Sequence, residues 1–173
     1  IAKIPTPEEH LLNPVSNYGA SKAACEMMIR GYSESYGMTA IILRYANIFG
    51  PRSNHGVAKD LFDKLMKNSK ELEILGDGKQ NKSYLYIDDC VEATLICAKK
   101  IKKGCNVINV GSNSQITVDE IAKIMIHELG VLPKIKYTGG IAWVGDVPVM
   151  LLDTKKLQSL GWRQKIPERE GLR

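Results

Sequence analysis

The sequence predicts an α/β protein built on a parallel sheet, and three observations support this class. A helical pattern over residues 17–36 ends at Gly37 and leads directly into a mostly apolar run over residues 39–47. Such a run is typical of a strand buried on both faces, as strands of parallel sheets are. Predicted helices and strands then alternate along the remainder of the chain, which is the pattern of α/β proteins.

The first predicted helix follows a proline-containing loop over residues 1–16. Ser16 is a suitable N-cap because its hydroxyl can accept a hydrogen bond from the first turn, and Gly37 is a suitable stop. One face of this helix carries Ala20, Ala24, Met28, Tyr32 and Tyr36. The strand over residues 39–47 is expected to close into a loop over residues 47–52.

Two further helix–strand pairs are predicted next. Residues 57–67 form a helical pattern with three large side chains directed inward, and a short strand over residues 72–75 stops at the glycine turn 76–78. The inward side chains are Leu61, Phe62 and Leu65. A strand over residues 83–87 then leads into a helix that Asp88 or Asp89 would cap, running to about Ile101.

The last third of the chain continues the alternation. A strand is predicted over residues 106–111, and Thr117 and Glu120 have the spacing of a capping box for a helix that continues to Gly130. An edge strand over residues 134–137 and a short helix over residues 153–160 complete the pattern.

Composition narrows the class of partner. No apolar run approaches the ~18 residues of a membrane span, so no membrane partner is expected. The net charge of +5 could suggest nucleic acid, but the densest basic cluster, over residues 99–103, lies at a helix end and has no interleaved aromatic residues. We therefore expect no nucleic-acid partner.

Cysteine and histidine spacing indicates neither disulfides nor a metal site. The four cysteines show no C-x-x-C pair, and Cys25, Cys90 and Cys97 lie in helical patterns, so reduced buried thiols in the cytoplasm are expected. The three histidines are scattered at positions 10, 55 and 127, without the spacing of zinc ligands.

Tyr18 and Lys22 are the candidate catalytic pair. They lie four residues apart at the start of the first helix, so the phenol and the ammonium stand one above the other. A free tyrosine ionises near pH ~10, and a phenol works as a base at neutral pH only with a positive charge close to it. The spacing alone is equally compatible with a packed tyrosine and a solvated lysine, so the flanking residues must decide.

Five motifs supply that context. They are P-V-S-N-Y-G-A-S-K at 14–22, R-Y-A-N-I-F-G-P at 44–51, G-D-G-K-Q-N-K-S-Y-L-Y-I-D-D at 76–89, N-V-G at 109–111 with Thr117, and G-D at 145–146 with D-T-K-K-L-Q-S-L-G-W at 153–162. In this order they resemble the extended short-chain dehydrogenase/reductases, the NAD-dependent epimerase/dehydratase family. The resemblance extends over nearly the whole chain but covers only the C-terminal portion of the family.

The resemblance implies a fold and two regions. Residues 1–52 would be the C-terminal part of an NAD(P)-binding Rossmann domain, a doubly wound parallel sheet. Residues 53–173 would form mainly a smaller α/β region that binds a nucleotide sugar, with some segments returning to the Rossmann sheet. The N-terminal nucleotide-binding half would be absent, because the chain has no G-x-x-G-x-x-G turn and no upstream Ser/Thr partner for the tyrosine.

The resemblance also implies a function, that of a nucleotide-sugar epimerase of the UDP-glucose 4-epimerase kind. Such an enzyme interconverts UDP-hexoses by reversible oxidation at sugar C4 with bound NAD, and this piece alone would be inactive. Tyr18 would be the base, and Lys22 would hold the nicotinamide ribose and keep Tyr18 acidic. Asn47, Lys82 and Asp146 would bind the substrate.

Two departures from the family pattern keep alternatives open. Lys82 and Ser83 stand where Arg-Asp is usual, and Trp143 stands where an arginine is usual. A lysine keeps the charge for a phosphate but loses the bidentate fork of arginine. These departures support one alternative, a non-catalytic member of the fold that binds a nucleotide or a protein. A second alternative is a 4,6-dehydratase, decarboxylase or reductase of the same family, because the acidic pair usual in dehydratases lies beside the upstream Ser/Thr, outside this sequence.

The resemblance further implies a homodimer formed through the Tyr/Lys helix. Met27, Met28, Tyr32 and Tyr36 could serve that contact or the core of the chain itself.

Overall fold

The computed structural model describes residues 3–140 and 147–173, and its helices and strands alternate as predicted. The helices are α1 (Asn17–Tyr36), α2 (Val57–Lys67), α3 (Ile87–Lys100), α4 (Val118–Glu128), α5 (Lys155–Ser159) and α6 (Glu168–Gly171). The strands are β1 (Ala40–Tyr45), β2 (Asn47–Phe49), β3 (Glu71–Ile74), β4 (Asn81–Lys82), β5 (Tyr84–Tyr86), β6 (Cys105–Val110), β7 (Ile116–Thr117), β8 (Lys134–Tyr137) and β9 (Val149–Met150).

The strand pairs are mostly parallel, which confirms the predicted class. β1 pairs with β6, β2 with β5, and β3 with β8, all in parallel. β4 lies between β9, which is parallel to it, and β7, which is antiparallel. Parallel neighbours need a long connection, and here helices supply it.

The limits of α1 agree with the sequence prediction at both ends. Ser16 has extended backbone angles, and its hydroxyl accepts a hydrogen bond from the Gly19 N–H at 3.1 Å. Gly37 ends the helix in the left-handed region, with φ of 65°, where a side chain would be strained. The helix packs on β1 and β6.

The strand predicted over residues 39–47 differs from the prediction in two ways. It divides into β1 and β2 around Ala46, because β1 pairs with β6 and β2 with β5. It is also not buried on both faces, since only Ile42 of β1 is fully buried. Within residues 3–140 and 147–173, β1 has a strand on one edge only, which leaves its side chains partly exposed.

Two side-chain predictions are wrong. In α2, Leu61 and Leu65 are buried as expected, but Phe62 is 42% exposed. Phe62 lies about 100° further round the helix than Leu61 and so faces a cleft instead of the core. In α1, Cys25 is exposed. Among the described residues, Ser33 is the only member of α1 that is buried.

The predicted cap of α3 is also wrong, while that of α4 is confirmed. Tyr86 is the N-cap of α3 and makes no side-chain capping bond. Asp89 lies instead in the first turn, where its buried carboxylate accepts hydrogen bonds from the backbone N–H groups of Lys165 and Ile166. It therefore fastens the C-terminal segment to α3. Thr117 and Glu120 form the reciprocal capping box at the start of α4.

The core divides into two clusters. One lies between α2, α4 and β3, and the other lies under α3, β6 and α5 around Trp162, whose indole N–H donates to the Asp89 carbonyl. The first is built from Phe49, Leu61, Leu65, Leu72, Ile74, Tyr84, Ile116, Val118, Ile121, Ala122 and Met125. The second is built from Leu85, Cys90, Ala93, Cys97, Ile108, Val110, Leu157 and Trp162.

Two of the cysteines behave as the sequence predicts. Cys90 and Cys97 are buried in the second cluster, and all four cysteines are free thiols. Burial raises the pKa of the Cys90 thiol to about 11 and raises the pKa of the Cys97 thiol as well. No helix in the described part of the chain is long and apolar enough to cross a membrane.

Candidate active site

A cleft of about 1330 Å³ lies where the carboxyl ends of the strands meet the loop that precedes α2. Its walls come from α1 at Tyr18, from β2, from residues 50–62, and from the region between β3 and β5. Ordinary small-molecule pockets have volumes of ~300–1,000 Å³, so this cleft has room for a ligand as large as a nucleotide sugar. In open α/β sheets, ligands bind at this edge.

The strand-to-loop turn that shapes the cleft depends on Gly50. This residue has a φ of 152°, and a Cβ at this position would approach Cγ2 of Ile87 to 2.5 Å. Only glycine allows the chain to leave β2 this close to the start of α3. The following residues, 50–56, can then form one wall of the cleft.

Tyr18 lines the cleft, and Lys22 lies next to it, one helical turn further along α1. The Lys22 ammonium lies 5.5 Å from the centre of the Tyr18 ring, as the i,i+4 spacing predicts. Tyr18 lines the cleft and is 73% exposed, so its hydroxyl is open to a ligand. The ammonium therefore lies over the face of the phenol ring, in a cation–π arrangement.

Asn47 and Lys82 line the same cleft as Tyr18. The side-chain amide of Asn47 donates a hydrogen bond of 3.0 Å to the Ser83 carbonyl, which fixes Asn47 to the start of β5. The structure thus places Tyr18, Asn47 and Lys82 around one space. Asp146, the remaining predicted contact, lies outside the described residues, as does Trp143.

Sequence reasoning did not single out Arg52, a cationic side chain that lines the cleft. Arg52 lines the wall next to Asn54 and His55 and has a positive φ of 65°. A non-glycine residue in this region is uncommon, and such residues cluster at functional sites. The motif R-Y-A-N-I-F-G-P ends just before Arg52, so only attention to the loop beyond the motif would have found it.

Gln80 is the second residue that the motifs did not single out. It lines the cleft and is 9% exposed. Its amide N–H group donates to the Leu75 carbonyl, but its carbonyl oxygen, Oε1, has no hydrogen-bond partner among the described residues. A buried acceptor without a partner costs free energy.

An ion pair beneath α1 is the third feature that the sequence did not reveal. Arg44 donates from Nε and Nη2 to the two carboxylate oxygens of Glu26, at 2.8 and 2.7 Å. Its Nη1 donates to the Glu8 carbonyl at 2.9 Å. The hydrogen bond to Glu26 is the main cause that raises the pKa of Arg44. This pair joins α1 to β1.

The substitution at Ser83 has a structural reason. Ser83 is fully buried, and its hydroxyl accepts a hydrogen bond from the Ser112 N–H at 3.1 Å and lies 3.2 Å from the Ser112 hydroxyl. Ser83 therefore joins β5 to the loop after β6 through neutral groups. This arrangement buries no charge at a position where the family pattern has an aspartate.

Comparison with known proteins agrees with the motifs. Residues 2–111 match the family described as "NAD dependent epimerase/dehydratase family", which is more than half of the chain. The chain belongs to the NAD-dependent epimerase/dehydratase family. The cofactor of this family is therefore NAD.

The solved structures and curated relatives that this chain resembles include 4-epimerases and 4,6-dehydratases. A crystal structure of UDP-galactose 4-epimerase is 41% identical with a TM-score of 0.88, and 99% of this chain matches 55% of it. The UDP-glucose 4-epimerase of Thermotoga maritima, solved with UDP-glucose, is 33% identical with a TM-score of 0.88, over 99% of this chain and 56% of that one. The human dTDP-D-glucose 4,6-dehydratase is 31% identical over 92% of this chain and 47% of its own length.

The chain spans about half the length of the curated relatives it matches. The residues present fit one end of NAD: an exposed phenol and an ammonium 5.5 Å from its ring are donors suited to ribose hydroxyls. Residues 3–140 and 147–173 contain no glycine-rich turn between a strand and a helix that could hold a pyrophosphate. In the same ranges, no group of three or more His, Cys, Asp or Glu side chains could hold a metal ion.

Proposed function

We propose that the complete protein containing this chain is a nucleotide-sugar epimerase that oxidises and reduces a UDP-hexose at sugar C4 and so interconverts UDP-glucose and UDP-galactose. The observation that carries this proposal is the cleft in which Tyr18 faces the same space as Asn47 and Lys82. A reactive phenol and groups suited to phosphate then act on one ligand. The names of the solved structures at 41% and 33% identity support the choice of an epimerase.

In the proposed reaction, Tyr18 removes the proton from the sugar 4-hydroxyl. Bound NAD supplies the hydride acceptor for C4. Lys22, whose ammonium lies 5.5 Å from the centre of the phenol ring, would supply the positive charge beside Tyr18 and hold the ribose of the cofactor. The exposed hydroxyl of Tyr18 can approach either face of a sugar that turns within so large a cleft.

The nucleotide diphosphate would be held on the opposite wall. Asn47, Lys82 and Asp146 are the proposed contacts, and Arg52 adds a guanidinium whose fork can bind phosphate oxygens bidentately. Arg52 offers a reason why the chain tolerates Lys82 and Trp143 at positions where relatives of the family have arginine.

Residues 1–173 alone are proposed not to turn over substrate. A glycine-rich turn and a Ser/Thr partner for Tyr18 would come from an N-terminal half of the complete protein. In this scheme residues 1–52 end the Rossmann domain, and residues 53–173 form mainly the substrate-binding region. Two copies would associate through α1, where Met27, Met28, Tyr32 and Tyr36 are all more than half exposed.

A second candidate is a 4,6-dehydratase, and the human relative at 31% identity favours it. Both reactions begin with the same oxidation at C4, so the cleft suits either. A dehydratase also needs groups that remove water from C5 and C6 of the sugar. The family pattern places those groups near the upstream Ser/Thr.

The product of the complete protein, loaded with NAD and incubated with UDP-glucose, tests the proposal. NMR spectra are expected to show UDP-galactose with no change in mass. A product lighter by one water would indicate the dehydratase. If neither UDP-glucose nor UDP-galactose changes while UDP still binds, the protein is a binding member of the family and the proposal is wrong.

A further inference from the structure

Three side chains of α1 lie one helical turn apart, Tyr18, Lys22 and Glu26. Residues four apart on a helix are neighbours, so the Lys22 ammonium has a phenol on one side and a carboxylate on the other. A carboxylate paired with Lys22 would offset the positive charge that Tyr18 and the cofactor ribose both require. For Lys22 to keep its charge available, the Glu26 carboxylate must pair with another cation.

Arg44 is that cation. The two hydrogen bonds of 2.7 and 2.8 Å use both carboxylate oxygens, and the side chains are only 21% and 15% exposed. A partly buried, bidentate guanidinium–carboxylate pair is stronger than an exposed i,i+4 pair on a helix surface. Glu26 therefore stays on Arg44, and Lys22 has no ion pair within the described residues.

Other charged groups near this pair could take part. Glu8 and Glu9 are close enough to interact electrostatically with Arg44, and the Glu8 carbonyl accepts from Arg44 Nη1. Glu8 also accepts a hydrogen bond from the Asn109 N–H, so the guanidinium is fixed from the side of the loop as well. Arg30 lies one turn beyond Glu26 and would compete with Lys22 for a released carboxylate.

We propose that Arg44 is a positioning residue that holds Glu26 away from Lys22 and so keeps the Lys22 ammonium available to Tyr18 and to the cofactor. This inference rests on the proposed roles of Tyr18 and Lys22. Arg44 is not among the residues that line the cleft. It acts by removing a competitor.

Three variants of the complete protein test this inference. Arg44→Met releases Glu26. Glu26→Gln removes the competing charge but breaks the same ion pair. The double variant Glu26→Gln/Arg44→Met lacks both.

Two quantities are measured in each variant: the pH dependence of kcat, and the dissociation constant of NAD from protein stripped of cofactor. Thermal unfolding reports the structural cost separately, and Glu71→Gln, which breaks the surface pair with Lys136, is the matched control.

Arg44→Met is expected to move the midpoint on the acid side of the kcat profile up by about one pH unit and to weaken NAD binding about tenfold, because Lys22 loses much of its effective charge. Glu26→Gln is expected to lower the melting temperature about as much as Arg44→Met but to leave the midpoint in place. The double variant is expected to restore the midpoint and the NAD affinity. Glu71→Gln is expected to change neither.

A double variant that keeps the shifted midpoint and weak NAD binding of Arg44→Met would overturn the inference, because the ion pair would then be structural only. Unchanged values in Arg44→Met would also overturn it. If Arg44→Met does not fold, Arg44→Lys, which keeps the charge but loses the fork, is expected to give a smaller shift in the same direction. NAD affinity needs no turnover, so it decides the inference even if the protein acts on no UDP-sugar.

Discussion

At the scale of single residues, the cleft combines contacts that the motifs predicted with contacts that they did not. Tyr18, Asn47 and Lys82 were found from short patterns, because their neighbours in the chain have fixed local roles. Arg52, Gln80 and the Arg44–Glu26 pair depend on contacts between distant segments. No local pattern reports that Gln80 Oε1 lacks a partner or that Glu26 faces Arg44.

Arg52 is predicted to bind the diphosphate. Arg52→Met should weaken UDP binding by about tenfold or more in the complete protein, because a charge-assisted hydrogen bond contributes about 1.5–3 kcal/mol. Lys59→Met is the matched control, since Lys59 also lines the cleft but already pairs with Asp63. Equal UDP affinities for Arg52→Met and the wild type, measured by calorimetry, would remove Arg52 from the site.

Cys90 is predicted to be inert while the protein is folded. Its burial raises the thiol pKa to about 11, so only about one thiol in ten thousand is ionised at pH 7. Iodoacetamide at pH 7 should modify Cys90 only after unfolding in urea, as mass spectrometry of the peptides would show. Rapid labelling of Cys90 in the folded protein would mean that the cluster around Trp162 opens readily.

At the scale of helices and strands, prediction was accurate where local chemistry decides and failed where a distant segment decides. The ends of α1 and the capping box of α4 were predicted, because Ser16, Gly37, Thr117 and Glu120 act within one turn. The predicted cap of α3 was wrong, because the carboxylate of Asp89 accepts a hydrogen bond from a backbone N–H group 76 residues further along the chain. Burial of the strand over residues 39–47 was wrong because β1 pairs on one edge only in the described chain.

The capping box makes a prediction about stability. Thr117→Ala should lower the free energy of unfolding by about 1 kcal/mol, because the hydroxyl accepts the Glu120 N–H in the first turn of α4. Thr117→Ser keeps the hydroxyl and should cost much less. Urea unfolding of the two variants measures the difference, and equal losses would show that the methyl group of Thr117 matters instead.

Glu120 adds a pH dependence to the same cap. The Thr117 backbone N–H is the main cause that lowers the pKa of Glu120, followed by its pairing with Arg169. Because the pKa is lowered in the folded state, the carboxylate stabilises the folded protein fully at a pH above its ordinary pKa near ~4.5. This stabilisation is lost as the pH falls through the lower pKa of the folded state. Glu120→Gln should thus lower the melting temperature at pH 7, and the difference from the wild type should shrink below about pH 4.

At the scale of the whole molecule, a large cleft and an exposed helix are the main features of the residues that the structure describes. The cleft joins α1, β2 and the wall before α2, while the remainder of α1 leaves Met27, Met28, Tyr32 and Tyr36 largely exposed. These side chains do not serve the core of the described chain. The homodimer remains a prediction, and sedimentation of the complete protein as a monomer at every concentration would contradict it.

The family and the parallel α/β class were accessible from the sequence because five motifs occur in a fixed order. The particular reaction was not accessible. Epimerases and dehydratases are both relatives, so membership of the family does not separate the two reactions. From residues 1–173 we therefore propose the base, its ammonium and the anion contacts.

Turnover of UDP-glucose by the Tyr18→Phe variant of the complete protein tests the central claim most directly. Phenylalanine keeps the ring and removes the hydroxyl, so kcat should fall by about 10²–10⁴-fold while UDP affinity is unchanged. Tyr36→Phe, on the same helix and 71% exposed, is the matched control and should retain activity. If Tyr18→Phe turns over UDP-glucose at the wild-type rate, Tyr18 is not the base and the proposed site is wrong.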